Sequence, residues 1–386
     1  MFLVEYVSST LESLSKDDLS RLDGWRGFLA FLVVIAHSNQ IFIAPIIGTD
    51  NYFYWTIGVI AHFSVLGFFV ISGIAIAMSL LLNIKRNNNE VNFREFILAR
   101  VSRIYPPLFF SIFISVLFLI IMSNFNLLGI DISYKLSSDL YIAREYFNFT
   151  VQDVYRTLIF DNLGLVKVNG PLWSLIYEWW LYFFGLLLVN IFFVKKNILK
   201  LMSLILLVVV YNKIKHAQGL VYIVIWMLGF VFYLFGRRRN KVNKIFVLVA
   251  IGGLFGCNYL YNFTQNKLDV STLPTVQILF SILFLGLIFK FPKNSFFNAI
   301  SKFSYSLYII HFPVFLFLLS IFHRRTHDSL LLCLILCLFS ISLVMFISYK
   351  TYIYFENKKY FIVLIDSYLT RLSNLFSSLS KSIKSS

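Results

Sequence analysis

The sequence predicts an all-α protein, a polytopic membrane bundle of about ten transmembrane helices, and three observations carry that prediction. The first is composition: of 386 residues 59% are hydrophobic and only 13% charged, with 44 Phe and 22 Tyr. A soluble chain of this length has no interior large enough to hide so much apolar surface. The second is run length. Stretches able to cross a hydrocarbon layer of ~30 Å occur near residues 27–47, 55–82, 105–124, 171–194, 198–212, 219–236, 245–262, 272–291, 303–322 and 329–351. The third is charge placement. Counting ten spans, Lys85, Arg86, Arg94, Lys195, Lys196, the run Arg237 to Arg239 and the tail lysines fall on the same side as the N-terminus. The longest loop on the other side carries only Lys135, Arg144, Arg156 and Lys167. This is the positive-inside pattern, and it predicts that both termini are cytoplasmic.

The net charge of +16 is therefore read as membrane topology, with no nucleic acid partner expected. The opening MFLVEYVSSTLESLSKDDLS is mostly polar after four residues and carries acids where a signal peptide has basic residues, so the first span is expected to direct insertion. Residues 1–20 read as a cytoplasmic segment, 21–355 as the membrane domain, and 356–386 as a Ser- and Lys-rich cytoplasmic tail, amphipathic or disordered. The longest hydrophilic stretch, 125–168, suits a small helical or re-entrant cap and is too small for an independent core. Cys257, Cys333 and Cys337 lie in apolar runs, which points to inert thiols, and no metal site is expected. Internal repeats are not apparent, which weakens a transporter reading.

Within the first span, RLDGWRGFLAFLVVIAHSNQ (residues 21–40) sets Arg26 and His37 eleven residues apart. Eleven steps turn an α-helix only about 20° past three whole turns and rise about 16 Å, so both side chains leave one face. An arginine at the mouth and an imidazole about halfway through the layer are tolerable only against protein or water. In the second span, His62 follows an aromatic belt of Tyr52, Tyr54 and Trp55, and either helix packing or a nearby site accounts for it. Gly67, Ser72 and Gly73 are small residues that allow a neighbouring helix to come close.

Residues 93–107, FREFILARVSRIYPP, read as an amphipathic helix on the inner surface with Phe93, Ile97, Val101 and Ile104 toward lipid. Pro106 and Pro107 then suit the first turn of the third span, where a missing N–H costs little. Arg100 and Arg103 are neighbours on this helix, fit either to clamp a phosphate or to snorkel to lipid headgroups. The fourth span opens GPLWSLIYEWWLYFF (residues 170–184) and aligns Ser174, Glu178 and Tyr182 on one stripe. A carboxylate about two turns below the external surface is either functional or a structural group satisfied by an arginine or tyrosine. In the ninth span, SKFSYSLYIIHFPVF (residues 301–315) aligns Ser304, Tyr308 and His311, and Pro313 is expected to free a backbone carbonyl beside the imidazole. His216, His323 and His327 read as solvated residues at or near external helix ends.

Five of these motifs, in this order, resemble the integral-membrane acyltransferase type-three family: DGWRGFLAFLVVIAH with Arg26 and His37, FFVISG from Phe68, RIYP from Arg103, LWSLIYE from Leu172, and SYSLYIIHFP from Ser304. The resemblance implies a bundle of about ten helices that moves acyl groups, most often acetyl from cytoplasmic acetyl-coenzyme A, onto hydroxyls of surface polysaccharides, lipid-linked sugars, peptidoglycan or small metabolites. It implies His37, Arg26 and Glu178 as catalytic residues and Arg26, Arg100 and Arg103 as the coenzyme-phosphate site. Trp173, Ser174, Tyr305, Tyr308 and His311 would line the acceptor side. The chain departs from the family in having Ala99 before Arg100, Leu66 where an acid is common, and Glu356-Asn357-Lys358 in place of a late Glu-Arg-Pro, so no role is assigned to Glu356. Relatives with an external hydrolase-like domain contrast with this chain, which is expected to act as a stand-alone membrane enzyme.

Together these readings predict an acyltransferase in a bacterial inner membrane, in contact with membrane lipids. Its donor would be an acyl-coenzyme A, most often acetyl-CoA, and its acceptor a polysaccharide or lipid-linked sugar, with homo-oligomer formation left open. His37 acts either as general base toward the acceptor hydroxyl or as the carrier of the acyl group. Two rivals share the topology: a permease or flippase for lipid-linked sugars, which does no covalent chemistry, and a polysaccharide polymerase, which wants a larger external loop.

Overall fold

The computed structural model describes residues 14–47, 52–88, 90–127, 149–161, 169–193, 197–214, 217–236, 273–290, 292, 294–326, 329–357, 360–367 and 371. These residues are 91% helical, with no strand among them. The helices are α1 (Lys16–Ser38), α2 (Tyr52–Arg86), α3 (Phe93–Asn124), α4 (Val151–Leu158), α5 (Trp173–Phe193), α6 (Asn197–Ile214), α7 (Ala217–Val231), α8 (Pro274–Leu287), α9 (Ser295–Lys302), α10 (Ser304–Thr326) and α11 (Leu330–Phe355). Among the described residues eight helices are long and apolar enough to cross a membrane, or nine if the pair Pro274–Lys290 and Ser295–Lys302, bent by 113°, forms one span. The protein is thus a polytopic helical bundle. The expected seventh span, residues 245–262, lies outside the described residues, as do Cys257, His216 and His327.

The first helix starts earlier than its apolar run. Ser15 accepts from the Asp18 backbone N–H and Asp18 returns a carboxylate to the Ser15 N–H, a capping box that sets the start at Lys16. Arg26 therefore lies about 15 Å along the helix from its start, with its side chain half-buried. Past His37 the helix widens into a π turn over Asn39–Ile43. The bundle interior forms where α2 packs on α7 and α1. Gly73 of α2 faces the Trp226 carbonyl, and Gly229 of α7 faces the Val70 carbonyl, so each glycine admits the other helix's backbone. The sequence pointed to Gly73 for this reason but gave no partner.

The third helix corrects an expectation. Pro106 and Pro107 sit inside one continuous helix of 32 residues, not at its first turn. Each lacks the N–H that the carbonyls of Ser102 and Arg103 would otherwise receive. Ile104, read as facing lipid, is buried together with Arg100, while Phe93, read the same way, is exposed, as are Phe109 and Phe113 further along. The start is held by Asn92, which accepts from the Glu95 backbone N–H. Asn83 of α2 and Asn87 just past its end both donate to the Glu95 carboxylate, and Arg86 pairs with it at 2.8 Å.

Residues 149–161 pack against α3 and α5. Phe149 packs on Met122 near the end of α3, whereas Phe160 reaches Tyr105, with ring centroids 5.7 Å apart, and Trp179 at 4.7 Å. Between them α4 starts at a second capping box, Thr150 with Asp153, and exposes Val151 (88%) and Tyr155 (62%). The Tyr105 hydroxyl donates to Leu158 O at 3.0 Å and Trp180 Nε1 donates to Phe160 O at 3.3 Å, so the segment's end is bonded rather than bare. The chain returns at Asn169, which is buried against Ser111, thirteen residues or about 20 Å short of the end of α3. A short 3-10 turn, Gly170–Leu172, then leads into α5. Glu178, in the second turn of this helix, lines the same cavity as Arg103 and Ser304.

Pro313 of α10 leaves the Ile309 carbonyl without its helical donor. Ser111 Oγ and Asn169 Nδ2 each donate to that oxygen at 2.6 Å, which ties α3 and the start of α5 to α10. The N-terminus of α10 is capped from the far end of the chain. Glu356, one residue past α11, accepts from the Ser306 backbone N–H at 3.2 Å and from the Ser306 hydroxyl. Burial raises the Glu356 carboxyl above its ordinary range, against the opposing pull of Ser306, Arg103 and Arg26. Beyond it the tail turns helical again from Tyr360, and Arg94 pairs with Asp366 at 2.7 Å.

Two outcomes follow for stability. Gly73→Ala forces its new methyl onto the Trp226 carbonyl and should destabilise the detergent-solubilised protein by roughly 1–3 kcal/mol, read as a lowered thermal midpoint. Glu356→Ala should cost about 1–2 kcal/mol by stranding the Ser306 donors. A carboxyl raised in the fold binds its proton more tightly there than in the unfolded chain, so its contribution is present at low pH and is lost as pH rises through its titration. Glu356→Gln keeps an acceptor and should flatten that part of the melting profile between about pH 4 and about pH 8.

Candidate active site

Five helices converge on one polar cavity, with an empty volume of about 760 Å³ including its mouth. Helix α1 contributes Arg26, α3 contributes Arg100 and Arg103, and α5 contributes Ser174, Glu178 and Tyr182. Helix α10 adds Ser304, Tyr305 and Tyr308, while Phe68, Ile71, Ser72, Ala75 and Ile76 of α2 form the less polar wall. The stripe spacing explains the convergence. Ser174, Glu178 and Tyr182 leave α5 at i, i+4 and i+8, and Ser304 and Tyr308 leave α10 at i and i+4, so each helix presents one polar edge.

Three guanidinium groups face this space and are only partly compensated. Arg26 pairs with Asp23 at 3.3 Å on its own helix. Arg100 lies 4.9 Å from the Phe96 ring centroid and 5.3 Å from that of Tyr182, a cation–π arrangement, and its buried Nε has no hydrogen-bond partner. No hydrogen bond or ion pair within 4.0 Å engages the Arg103 guanidinium among the described residues. Glu178 accepts instead from the Tyr182 hydroxyl. Three arginines against one carboxylate in the lining leave an excess of positive charge in a confined space, the electrostatic setting for an anion with several oxygens.

The tyrosines are structural as well as polar. Tyr305 donates to Ile104 O at 3.0 Å, locking α10 onto α3 just before the two prolines. Tyr308 donates to Pro171 O at 2.6 Å, so the 2.7 Å contact with Ser174 has the serine hydroxyl as donor. Ser72 accepts from Trp226 Nε1 at 3.3 Å while also lining the cavity, a site position for which the sequence suggested only packing.

The two histidines lie beyond this cavity. His37 Nδ1 and His311 Nε2 are 2.8 Å apart, and His311 Nδ1 lies 3.0 Å from Leu307 O. The rings are 13° from parallel with centroids 5.0 Å apart, the separation of an edge-to-edge N–H···N bond rather than a face-to-face stack. His311 is fully buried. Tyr308 stands between the pair and the cavity, its ring 6.0 Å from His311 and 6.3 Å from Phe68.

Of the residues singled out in the sequence, Arg26, Arg100, Arg103, Ser174, Glu178, Tyr305 and Tyr308 meet in the cavity. His37 and His311 meet each other one layer away, and Trp173 turns aside to pack on Tyr222 with ring centroids 5.4 Å apart. His62 is remote from both and bonds Gln277 at 3.0 Å. Sequence reading missed Asn169, Ser111 and Glu356 as the groups that hold α10 in place. Only the expected carbonyl freed by Pro313 hinted that such partners had to exist.

The fold and site define a polytopic membrane protein with three arginines lining one interior cavity beside a hydrogen-bonded histidine pair. An acyltransferase domain model matches residues 19–349, and the chain belongs to the acyltransferase type-three family. It is an integral-membrane acyltransferase. No curated protein and no solved structure matches the chain.

The excess positive charge has a direct readout. Millimolar pyrophosphate should raise the thermal midpoint of the purified protein, by up to about 2.7 kcal/mol of stabilisation at a hundredfold excess over its Kd. Arg103→Gln should remove most of that shift, and added salt should weaken it in the parent protein.

Proposed function

We propose that the protein transfers an acyl group, acetyl by preference, from cytoplasmic acyl-coenzyme A to a hydroxyl of a cell-surface polysaccharide or lipid-linked sugar at a bacterial inner membrane. One observation carries this reading: a cavity with three arginines lies beside a hydrogen-bonded pair of a half-buried His37 and a fully buried His311 in a chain of the acyltransferase family. Arg26, Arg100 and Arg103 supply forked donors for the phosphates of the donor, and the unpartnered Arg100 Nε fits such an acceptor. Both helix starts that bear these arginines lie on the predicted cytoplasmic side, which suits entry of a water-soluble thioester from within the cell. The acyl arm then has to pass Phe68 and Tyr308 to reach His37.

At His37 the neutral imidazole takes the proton of the acceptor hydroxyl as its oxygen attacks the thioester carbonyl. The carbon–sulfur bond breaks, and the departing sulfur receives that proton. General-base assistance of this kind is worth about 10²- to 10⁴-fold. Glu178, held by Tyr182, balances part of the arginine charge before the donor binds.

Protein in proteoliposomes, supplied with acetyl-coenzyme A labelled in the acetyl group and with glycan or lipid-linked sugar fractions, should release free coenzyme and yield labelled sugar. His37→Ala should abolish that product while leaving the protein folded and inserted. A flippase would move the sugar without consuming the thioester, so unlabelled, translocated sugar would overturn the proposal. Arg103→Lys keeps the charge but loses the fork, and should raise the donor KM by about tenfold with a smaller effect on kcat.

A further inference from the structure

The hydrogen bonds around the histidine pair determine which nitrogen of His37 does the chemistry. A backbone carbonyl can only accept, so the 3.0 Å contact with Leu307 O makes His311 Nδ1 a donor. In a neutral His311 the other nitrogen, Nε2, then carries the lone pair. His37 Nδ1, 2.8 Å away, must be the donor to it, which leaves the lone pair of neutral His37 on Nε2. The near-parallel rings, 13° apart, place both nitrogens close to the plane such a bond requires.

We propose that His311 is a positioning residue: anchored through Leu307, it holds His37 in the tautomer with its proton on Nδ1, making Nε2 the atom that accepts the acceptor's proton. The proposal rests on the acyltransfer reading above and adds the role of a second histidine to it. In catalysis the proton from the hydroxyl arrives at His37 Nε2 and leaves from there to the sulfur, so no proton passes through His311. The chain ends at a carbonyl that is not a base, and this is why the relay orients rather than conducts. Neither histidine lines the cavity, but His311 is fully buried whereas His37 is only half-buried, so His37 is the member of the pair open to substrate. The Leu307 carbonyl is a fixed anchor, because it lies in α10 between the Glu356 cap at Ser306 and the Ile309 carbonyl that Ser111 and Asn169 hold. A carboxylate does the same work in hydrolytic triads, and a neutral imidazole does it here without adding a charge to the bilayer interior.

The test combines spectroscopy with kinetics. Nitrogen-15 spectra of histidine-labelled protein in nanodiscs, with His37 identified by the signals lost in His37→Ala, should show a protonated Nδ1 and an unprotonated Nε2 at neutral pH. His311→Ala should shift His37 toward the opposite tautomer and lower kcat about 10²-fold, with the donor KM within about twofold. His311→Gln offers a side-chain carbonyl to the same Nδ1–H and should recover part of that loss, which a purely packing role would not produce. A parent spectrum with the proton on Nε2, or a His311→Ala variant with undiminished kcat, would overturn the positioning role and leave acyl transfer standing. Full activity of His37→Ala would overturn the functional reading itself, whatever the tautomer.

Discussion

A carbonyl without a donor inside a bilayer costs several kcal/mol, and the arrangement of this protein depends on how one such group is satisfied. Pro313 removes the N–H that would have bonded Ile309 O. The chain meets the deficit with Ser111 from α3 and Asn169 from the turn before α5. Because Asn169 bonds the middle of α10, α5 begins beside Ser111 of α3, well short of that helix's end. That start brings Glu178 and Tyr182 into the cavity that Arg100 and Arg103 line. One proline in one helix therefore sets which residues share the cavity.

The site divides into two electrostatic environments. The cavity side holds three guanidinium groups, a carboxylate and an open mouth, and suits a multiply charged group that arrives with its own water. The histidine side is lined by aromatic rings, His37 lying edge-on to Phe312 at 5.5 Å and His311 to Phe315 at 5.9 Å. Tyr308 and Phe68 form the boundary. Separation of this kind serves group transfer well, since a charged handle is held where charge is tolerated while the reacting carbonyl meets a base set among aromatic rings.

Much of this was legible in the chain because helices register polar residues at a known spacing. The stripe of Ser174, Glu178 and Tyr182, that of Ser304, Tyr308 and His311, and the eleven-residue step from Arg26 to His37 all reappear as shared faces. Span positions were legible for the same reason that hydropathy works at all, the absence of water to bond a bare backbone. Depth was not. The start of α5 lies beside Ser111, well short of the end of α3, which no local pattern foretold, and Pro106 and Pro107 were placed at a helix start because local propensity alone favours it. Glu356 carried no readable signal, since its partner Ser306 lies fifty residues away in sequence.

By itself the sequence determined the class of structure, the faces of its helices and the residue types available for chemistry, because these follow from local periodicity and from the energy of exposing polar groups to lipid. The tertiary structure alone decided which faces meet, at what depth, and through which atoms. That His37 bonds His311 rather than Arg26 or Glu178 depends on the relative height and rotation of α1 and α10. Contacts between distant segments set both: the carbonyl joint at Ile309, the carboxylate cap at Ser306 and the glycine crossing at Gly73 and Gly229. No local pattern encodes a height, because sliding a helix by one turn leaves its periodicity unchanged.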